Sequence, residues 1–85
     1  MRTRRKAVLY RMVLPSHTCL HGVLAKQMLD QNCFEVEEHI LRGRDEVDAF
    51  KSAEDVTTTP QVFIEGKRIG GTAELGQYLV DIHDL

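Results

Sequence analysis

Short β-prone segments alternate with amphipathic helical segments along the whole chain, and few folds accommodate that order. Four runs have the apolar composition or the period-two alternation of strands, and they cover residues 7–14, 34–37, 61–64 and 67–69. Three segments repeat apolar side chains at three- and four-residue spacings, and they cover residues 20–29, 45–55 and 75–82. The predicted order of elements is therefore β-α-β-α-β-β-α.

This order predicts an α/β protein with one mixed four-stranded sheet and helices on both of its faces. We expect strands that are separated by helices to be parallel and joined by right-handed crossovers. The last two strands are separated only by Glu65-Gly66, a tight-turn dipeptide, and should form an antiparallel hairpin. With 85 residues the chain is long enough for one hydrophobic core. We assign residues 1–6 to a basic tail and residues 7–85 to a single domain.

The helical segments should each bury one apolar face. The first helix is expected to bury its large apolar side chains, which are Leu20, Val23, Leu24, Met28 and Leu29. The second is expected to bury Val47, Phe50 and Ala53. The third has the plainest helical pattern, with Leu75, Tyr78, Leu79 and Ile82 at positions i, i+3, i+4 and i+7.

Charge and hydropathy exclude several classes of function. Four of the eleven basic residues precede the first strand, namely Arg2, Arg4, Arg5 and Lys6. The remaining chain carries seven basic and thirteen acidic residues, so a groove for nucleic acid is not expected. No apolar run approaches the roughly 20 residues of a membrane span, and the start lacks the apolar stretch of a signal peptide. We therefore expect a cytoplasmic protein that does not bind membranes.

Two cysteines, Cys19 and Cys33, are the candidates for thiol chemistry. A disulfide scaffold is not expected in a cytosolic chain, and the His and Cys residues lack the paired spacing of zinc sites, so no metal site is predicted. Cys19 falls where the first strand meets the first helix, and a helix N-terminus lowers the pKa of a thiol. His17 and His21 flank it. The position favours a nucleophilic thiolate, although a partly buried structural cysteine would also fit there.

Two loop motifs precede the last elements of the chain. Thr58-Thr59-Pro60-Gln61 leads into the third predicted strand, and Gly70-Gly71-Thr72 leads into the last helix. Each has a plain structural explanation. The first motif would simply start a strand, and the second would be a turn followed by Thr72 as the N-cap of the helix. The second motif also exposes backbone amides at a helix N-terminus, where a carboxylate binds favourably.

Taken in order, these motifs resemble the glutaredoxins. The resemblance covers residues 7–79 and rests on the cysteine before the first helix, on Thr58-Thr59-Pro60-Gln61-Val62-Phe63-Ile64, and on Ile69-Gly70-Gly71-Thr72. It implies a thioredoxin-like fold with Cys19 as the nucleophile. Pro60 would be the cis-proline of the family and one of the residues that bind glutathione. The resemblance also implies that the Thr59 backbone pairs with the cysteinyl part of glutathione. The amides of Gly71, Thr72 and Ala73 would then meet the γ-glutamyl carboxylate.

The chain departs from the family pattern at several positions. Residues 19–22 read Cys-Leu-His-Gly where the family has C-P-Y-C, so Gly22 stands in the place of the second cysteine and the site is monothiol. The lysine expected three residues before the nucleophile is Ser16, and the first of the two acidic residues after Gly-Gly is Ala73. Cys33 has no counterpart among the family's catalytic residues and is expected to be non-catalytic.

The resemblance implies a glutathione-dependent thiol–disulfide oxidoreductase that reduces mixed disulfides and serves redox homeostasis. Its partners would be glutathione, acting as reductant, and glutathionylated or disulfide-containing proteins, with the chain acting as a monomer. One of four cations would meet the glycine carboxylate of glutathione, namely Arg11, Arg44, Lys51 or Arg68. Two alternatives stay open: two chains could hold a [2Fe–2S] cluster through Cys19 and glutathione, or the fold could be a docking module without redox chemistry.

Overall fold

Four strands form a mixed sheet with helices on both faces, which confirms the predicted fold class. The computed structural model describes residues 5–14, 17–18 and 20–83. The strands of the main sheet are β1 (Lys6–Leu14), β3 (Glu35–Leu41), β4 (Gln61–Ile64) and β5 (Lys67–Gly70). The helices are α1 (Leu20–Gln31), α2 (Arg44–Glu54) and α3 (Thr72–His83). A two-residue strand that the sequence does not predict, β2 (His17–Thr18), pairs with the end of β1.

β1 lies at the centre of the sheet, in the order β3-β1-β4-β5. It is parallel to β3, with Leu9 opposite Glu38, and antiparallel to β4, with Leu9 opposite Val62. β4 and β5 form the predicted hairpin, in which Ile64 pairs with Lys67. Its two turn residues, Glu65 and Gly66, both have positive φ, 53° and 82°. Positive φ at both central positions is the geometry of a type I′ turn, whose twist matches that of the strands.

The strands on either side of α2 are antiparallel, so the prediction that helix-separated strands run parallel is wrong for β3 and β4. β3 runs parallel to β1 and β4 runs antiparallel to it. The cause is the direction of α2, whose Phe50 ring stacks on Tyr10 of the central strand. The carbonyl of Glu54, at the end of α2, accepts a hydrogen bond from Arg68 of β5. Because α2 crosses the strands, the chain enters β4 at the end of the sheet where it left β3.

Each face of the sheet has its own apolar cluster. β1 alternates between them, with Ala7 and Leu9 on the face covered by α1 and α3, and Tyr10 and Met12 on the face covered by α2. The larger cluster joins these two β1 residues to buried side chains from α1, the loop before β3, β4 and α3, namely Ala25, Leu29, Phe34, Val62, Ile64, Leu75 and Leu79. The smaller one is built on Leu41, Val47 and Phe50. None of the helices within residues 5–14, 17–18 and 20–83 is long and apolar enough to cross a membrane.

The buried face of α1 is only partly the one predicted, since Leu29 is buried as expected but two other leucines are not. Leu20 and Leu24 are 79% and 46% exposed, while the buried residues are Gly22, Ala25 and Leu29. Two of these three are small, and at Gly22 the Arg11 side chain of β1 leaves no room for a Cβ atom. The prediction is also wrong for Ala53 of α2, which is exposed.

The start of the chain is held more firmly than the predicted tail implies. β1 begins at Lys6, and the guanidinium of Arg5 forms an ion pair with Glu65 (3.2 Å) and donates a hydrogen bond to the Tyr78 hydroxyl (3.0 Å). Arg5 and Lys6 therefore belong to the folded domain. Residues 1–4 lie outside the described part of the chain.

Candidate functional site

A cleft of about 190 Å³ lies where α1 and α3 begin, beside the loop that leads into β4. Its described lining residues come from these three places and are His21, Thr58, Thr59, Pro60, Gly71, Thr72, Ala73 and Glu74. The five residues that the resemblance assigns to glutathione binding are all among them. The fold thus brings together two loop motifs that are separated by eight residues in the sequence.

The loop before β4 presents a free stretch of backbone to this cleft. The Thr59–Pro60 peptide bond is cis, Pro60 is buried and Thr59 is half-buried. Among the described residues, neither the N–H nor the C=O of Thr59 makes a backbone hydrogen bond. The Gln61 side-chain amide braces the loop by donating to the Thr58 carbonyl (3.0 Å). An extended peptide-like ligand could therefore pair with Thr59 as an added strand would.

The N-terminus of α3 forms the opposite wall. Thr72 is the first helical residue, and the Leu75 N–H donates to the Gly71 carbonyl at 2.9 Å, so Gly71 occupies the N-cap position. The amides of Thr72 and Ala73 have no acceptor within the helix. Because the helix dipole is positive at this end, the wall favours a carboxylate.

The expected side-chain cap by Thr72 is wrong. The Thr72 hydroxyl instead donates a hydrogen bond to the His21 carbonyl (3.0 Å). This bond joins the first turn of α3 to the first turn of α1. A cap would have required the hydroxyl to accept from an amide of its own helix, whereas the cross-helix bond leaves those amides facing the cleft.

Glycine is needed at one position behind this wall, and the residue after it lies close to the neighbouring loop. Gly70 has φ +125°, and a Cβ atom built on it would lie 3.0 Å from Cβ and Cγ of Glu74. A Cβ on Gly71 would lie 3.4 Å from the Pro60 carbonyl oxygen. The positive φ of Gly70 favours glycine there, whereas the contact at Gly71 is an ordinary van der Waals distance that brings the two motifs together.

Cys19 lies outside the described residues. It directly precedes Leu20, where α1 begins, and it is two residues from His21, which lines the cleft. Covalent geometry limits the distance between the Cα atoms of Cys19 and His21 to about 7 Å. Cys33 is exposed and follows the C-terminal end of α1. The length of α1, about 17 Å, separates it from the end of the helix that Cys19 precedes.

Three lining residues were not among the predicted binding residues. Thr58 and Glu74 each adjoin a predicted residue in sequence, and that adjacency is the signal that could have found them. His21 was noted only as a neighbour of Cys19. The described part of the chain contains no group of three or more His, Cys, Asp or Glu side chains that could hold a metal ion.

None of the four cations proposed for the glycine carboxylate of glutathione lies among the described lining residues. Arg11 is engaged with Glu38, Nε to Oε2 at 2.6 Å. Arg68 donates to the Glu54 carbonyl at 2.8 Å on the other face of the sheet. The described lining of the cleft therefore offers amides that could meet a carboxylate, but none of the four predicted cations.

The comparisons with known proteins rest on structure. No protein-family model and no curated protein sequence matches the chain. Glutaredoxin 1 from Francisella tularensis, crystallised with cacodylate, matches with a TM-score of 0.82 and 25% identity over 95% of this chain and 99% of its own. Oxidised glutaredoxin 2 from Chlamydomonas reinhardtii matches with a TM-score of 0.62 and 27% identity, over 91% and 73%. The buckwheat glutaredoxin–glutathione complex matches with a TM-score of 0.72 and 23% identity, over 91% and 70%.

These structural neighbours confirm the glutaredoxin resemblance drawn from the sequence. The chain has the thioredoxin-like fold of the glutaredoxins, with the same order of strands and helices over nearly its whole length. They support a glutaredoxin-like thiol–disulfide oxidoreductase.

Proposed function

We propose that this chain is a monothiol oxidoreductase that removes glutathione from mixed disulfides. The observation that carries the proposal is the cleft itself, in which the unpaired backbone of Thr59 faces the free amides of Thr72 and Ala73. A γ-glutamyl peptide offers a carboxylate to the amides and a peptide backbone to Thr59. The buckwheat neighbour is a complex with glutathione, which makes this tripeptide the ligand to test first.

The reaction consists of two thiol–disulfide exchanges. The Cys19 thiolate attacks the glutathione sulfur of a protein–glutathione mixed disulfide, a new Cys19–glutathione bond forms, and the protein thiolate leaves and takes up a proton. A second glutathione thiolate then attacks the glutathione sulfur of this adduct. Glutathione disulfide leaves, and Cys19 returns to the thiolate. One cysteine suffices, because the resolving sulfur comes from solution.

Two features of the cleft would assist the first exchange. The chain position of Cys19, immediately before α1, favours the thiolate through the positive end of the helix. The backbone pairing at Thr59 would orient the cysteinyl part of glutathione, so that its sulfur lies at the α1 end of the cleft. Only the glutathione half of the substrate is held in this way, and the protein half remains free to vary.

Binding can be tested without chemistry by titrating S-methylglutathione, which cannot exchange, into isotope-labelled protein. We expect the backbone amide signals of Thr59, Gly71, Thr72 and Ala73 to shift together, because these groups line one cleft. A matched ligand without the γ-glutamyl group, S-methylcysteinylglycine, should leave the α3 amides unperturbed. The experiment is a two-dimensional amide spectrum recorded at each ligand concentration.

Shifts confined to the α2 face of the sheet would contradict the proposed cleft. A chain that binds no glutathione derivative would favour the docking-module alternative. The cluster alternative has a separate signature: anaerobically purified protein would be coloured, and the colour would disappear when Cys19 is replaced by serine.

Ala73→Asp should tighten glutathione binding roughly fivefold to tenfold. Ala73 is exposed and lines the cleft, and the family pattern has an acidic residue at this position. The γ-glutamyl end of glutathione carries an ammonium group beside its carboxylate, and a new carboxylate there would form a charge-assisted hydrogen bond with it. The measurement is the dissociation constant of S-methylglutathione by calorimetry.

Ala73→Asn is the matched control, because it has the same shape without the charge. It should give a smaller gain than Ala73→Asp. Equal affinities for the two variants would mean that charge at position 73 does not act on the ligand, and that the γ-glutamyl end lies elsewhere.

A further inference from the structure

Arg11 of β1 occupies the space that a side chain on Gly22 of α1 would need. A Cβ atom built on Gly22 would lie 2.9 Å from Cβ, 3.2 Å from Cδ and 3.5 Å from Cγ of Arg11. Real Cβ contacts below 3.0 Å are essentially unknown. Gly22 is buried, so a side chain there could not turn to solvent instead.

Arg11 cannot easily yield this space. Its nearest atom is Cβ, which is bonded directly to the backbone of the central strand and does not move when the side chain changes rotamer. Its Nε donates to Glu38 Oε2 at 2.6 Å, and the two side chains are only 17% and 26% exposed. Moving Arg11 away would leave the Glu38 carboxylate partly buried without its partner, which is costly.

We propose that Arg11 keeps the site monothiol by excluding every side chain, and hence a second cysteine, from position 22. Position 22 lies three residues after Cys19, where the resemblance places the second cysteine of dithiol relatives. The redox consequence rests on the proposed function: an adduct between Cys19 and glutathione has no resolving thiol on α1. The substrate class is thereby narrowed to glutathione mixed disulfides, as opposed to disulfides within one protein.

The steric part is tested by the stability of Gly22→Ala. Crowding in a packed region should raise the unfolded-to-folded ratio roughly 5- to 30-fold, although alanine is the better helix former. Gly76→Ala on α3 is the matched control, because its Cβ would meet only the flexible end of Met28 at an ordinary 3.5 Å. This control should be neutral or stabilising. Urea unfolding followed by circular dichroism measures both variants.

A double-mutant cycle assigns the crowding to Arg11. Arg11→Gly alone loses the ion pair with Glu38, and this loss also occurs in Arg11→Gly/Gly22→Ala, so it cancels in the cycle. We expect Gly22→Ala to cost little once residue 11 is glycine. A Gly22→Ala variant as stable as the wild type, or one whose cost is unchanged by Arg11→Gly, would overturn the proposal.

The redox part is tested with Gly22→Cys, in chains that also carry Cys33→Ser. Glutathione disulfide is the oxidant and first places glutathione on Cys19, releasing one glutathione. Where the introduced thiol can reach, it attacks the Cys19 sulfur, an internal disulfide forms, and the second glutathione leaves as a thiol. Intact-mass spectrometry after acid quenching distinguishes the adduct from the internal disulfide.

Gly22→Cys alone should retain the adduct, whereas Arg11→Gly/Gly22→Cys should lose it and close the internal disulfide. If both variants gave the same product, either the glutathione adduct or the internal disulfide, then Arg11 would not determine whether the disulfide forms. That result would overturn the proposal. Failure of the proposed function looks different: the Cys33→Ser parent would then take up no glutathione at all, while the stability cycle would still report on Arg11 and Gly22.

Discussion

Replacing Cys19 by serine is expected to abolish glutathione-dependent reduction of protein–glutathione mixed disulfides. In the proposed route Cys19 supplies the only attacking thiolate that comes from the protein, and a serine hydroxyl is not ionised near neutral pH. The assay follows release of glutathione from a glutathionylated protein in the presence of free glutathione. The rate should fall to that of the reaction without protein.

Cys33→Ser is the matched control and should retain nearly the full rate. Cys33 is exposed at the far end of α1, about 17 Å along the helix from Leu20, so it cannot reach a sulfur held beside the cleft without unfolding the helix. A Cys33→Ser variant that loses turnover, or wild-type protein that efficiently reduces disulfides within one protein, would make Cys33 a resolving cysteine. The monothiol mechanism would then be wrong.

Leu75→Ala is expected to cost about 2–5 kcal/mol of unfolding free energy. Leu75 is fully buried in the larger apolar cluster, and removing its side chain leaves a cavity beneath α3. A domain is typically stabilised by only about 5–15 kcal/mol, so the variant should lose a large fraction of its unfolding free energy. Urea unfolding gives the free energy directly.

Val80→Ala, on the same helix, is the matched control because Val80 is 54% exposed. It should change the unfolding free energy by less than about 0.5 kcal/mol. Leu75 directly follows Glu74, the last residue at the start of α3 that lines the cleft. Leu75→Ala should therefore also weaken binding of S-methylglutathione. Equal costs for the two substitutions would show that α3 is not packed on the sheet through the Leu75 face.

Local sequence was sufficient for the elements whose geometry depends on their own residues. The Glu65-Gly66 hairpin and its flanking strands follow from turn chemistry, because glycine and a short connection already select the turn type. The α3 pattern correctly predicts that Leu75 and Leu79 are buried, since a regular apolar stripe on a helix has one way to face a core. The order of the motifs was also enough to indicate the glutaredoxin fold, which the structural neighbours bear out.

Sequence patterning failed where close approach between elements decides burial. The apolar pattern of α1 favours Leu20 and Leu24 for the core, yet the helix turns Gly22 and Ala25 toward the sheet. Hydrophobicity alone ranks leucine above glycine for burial. At Gly22, however, the Arg11 side chain of β1 lies so close that there is no room for a Cβ atom.

The sequence alone determined which of the main elements form and, through the order of its motifs, which loops belong to one site, because propensity, turn chemistry and periodicity act over a few neighbouring residues. Only the tertiary structure decided that the strands on either side of α2 run antiparallel, and that Arg11 stands under Gly22. Both features arise from packing between residues far apart in the chain, and no local pattern contains them.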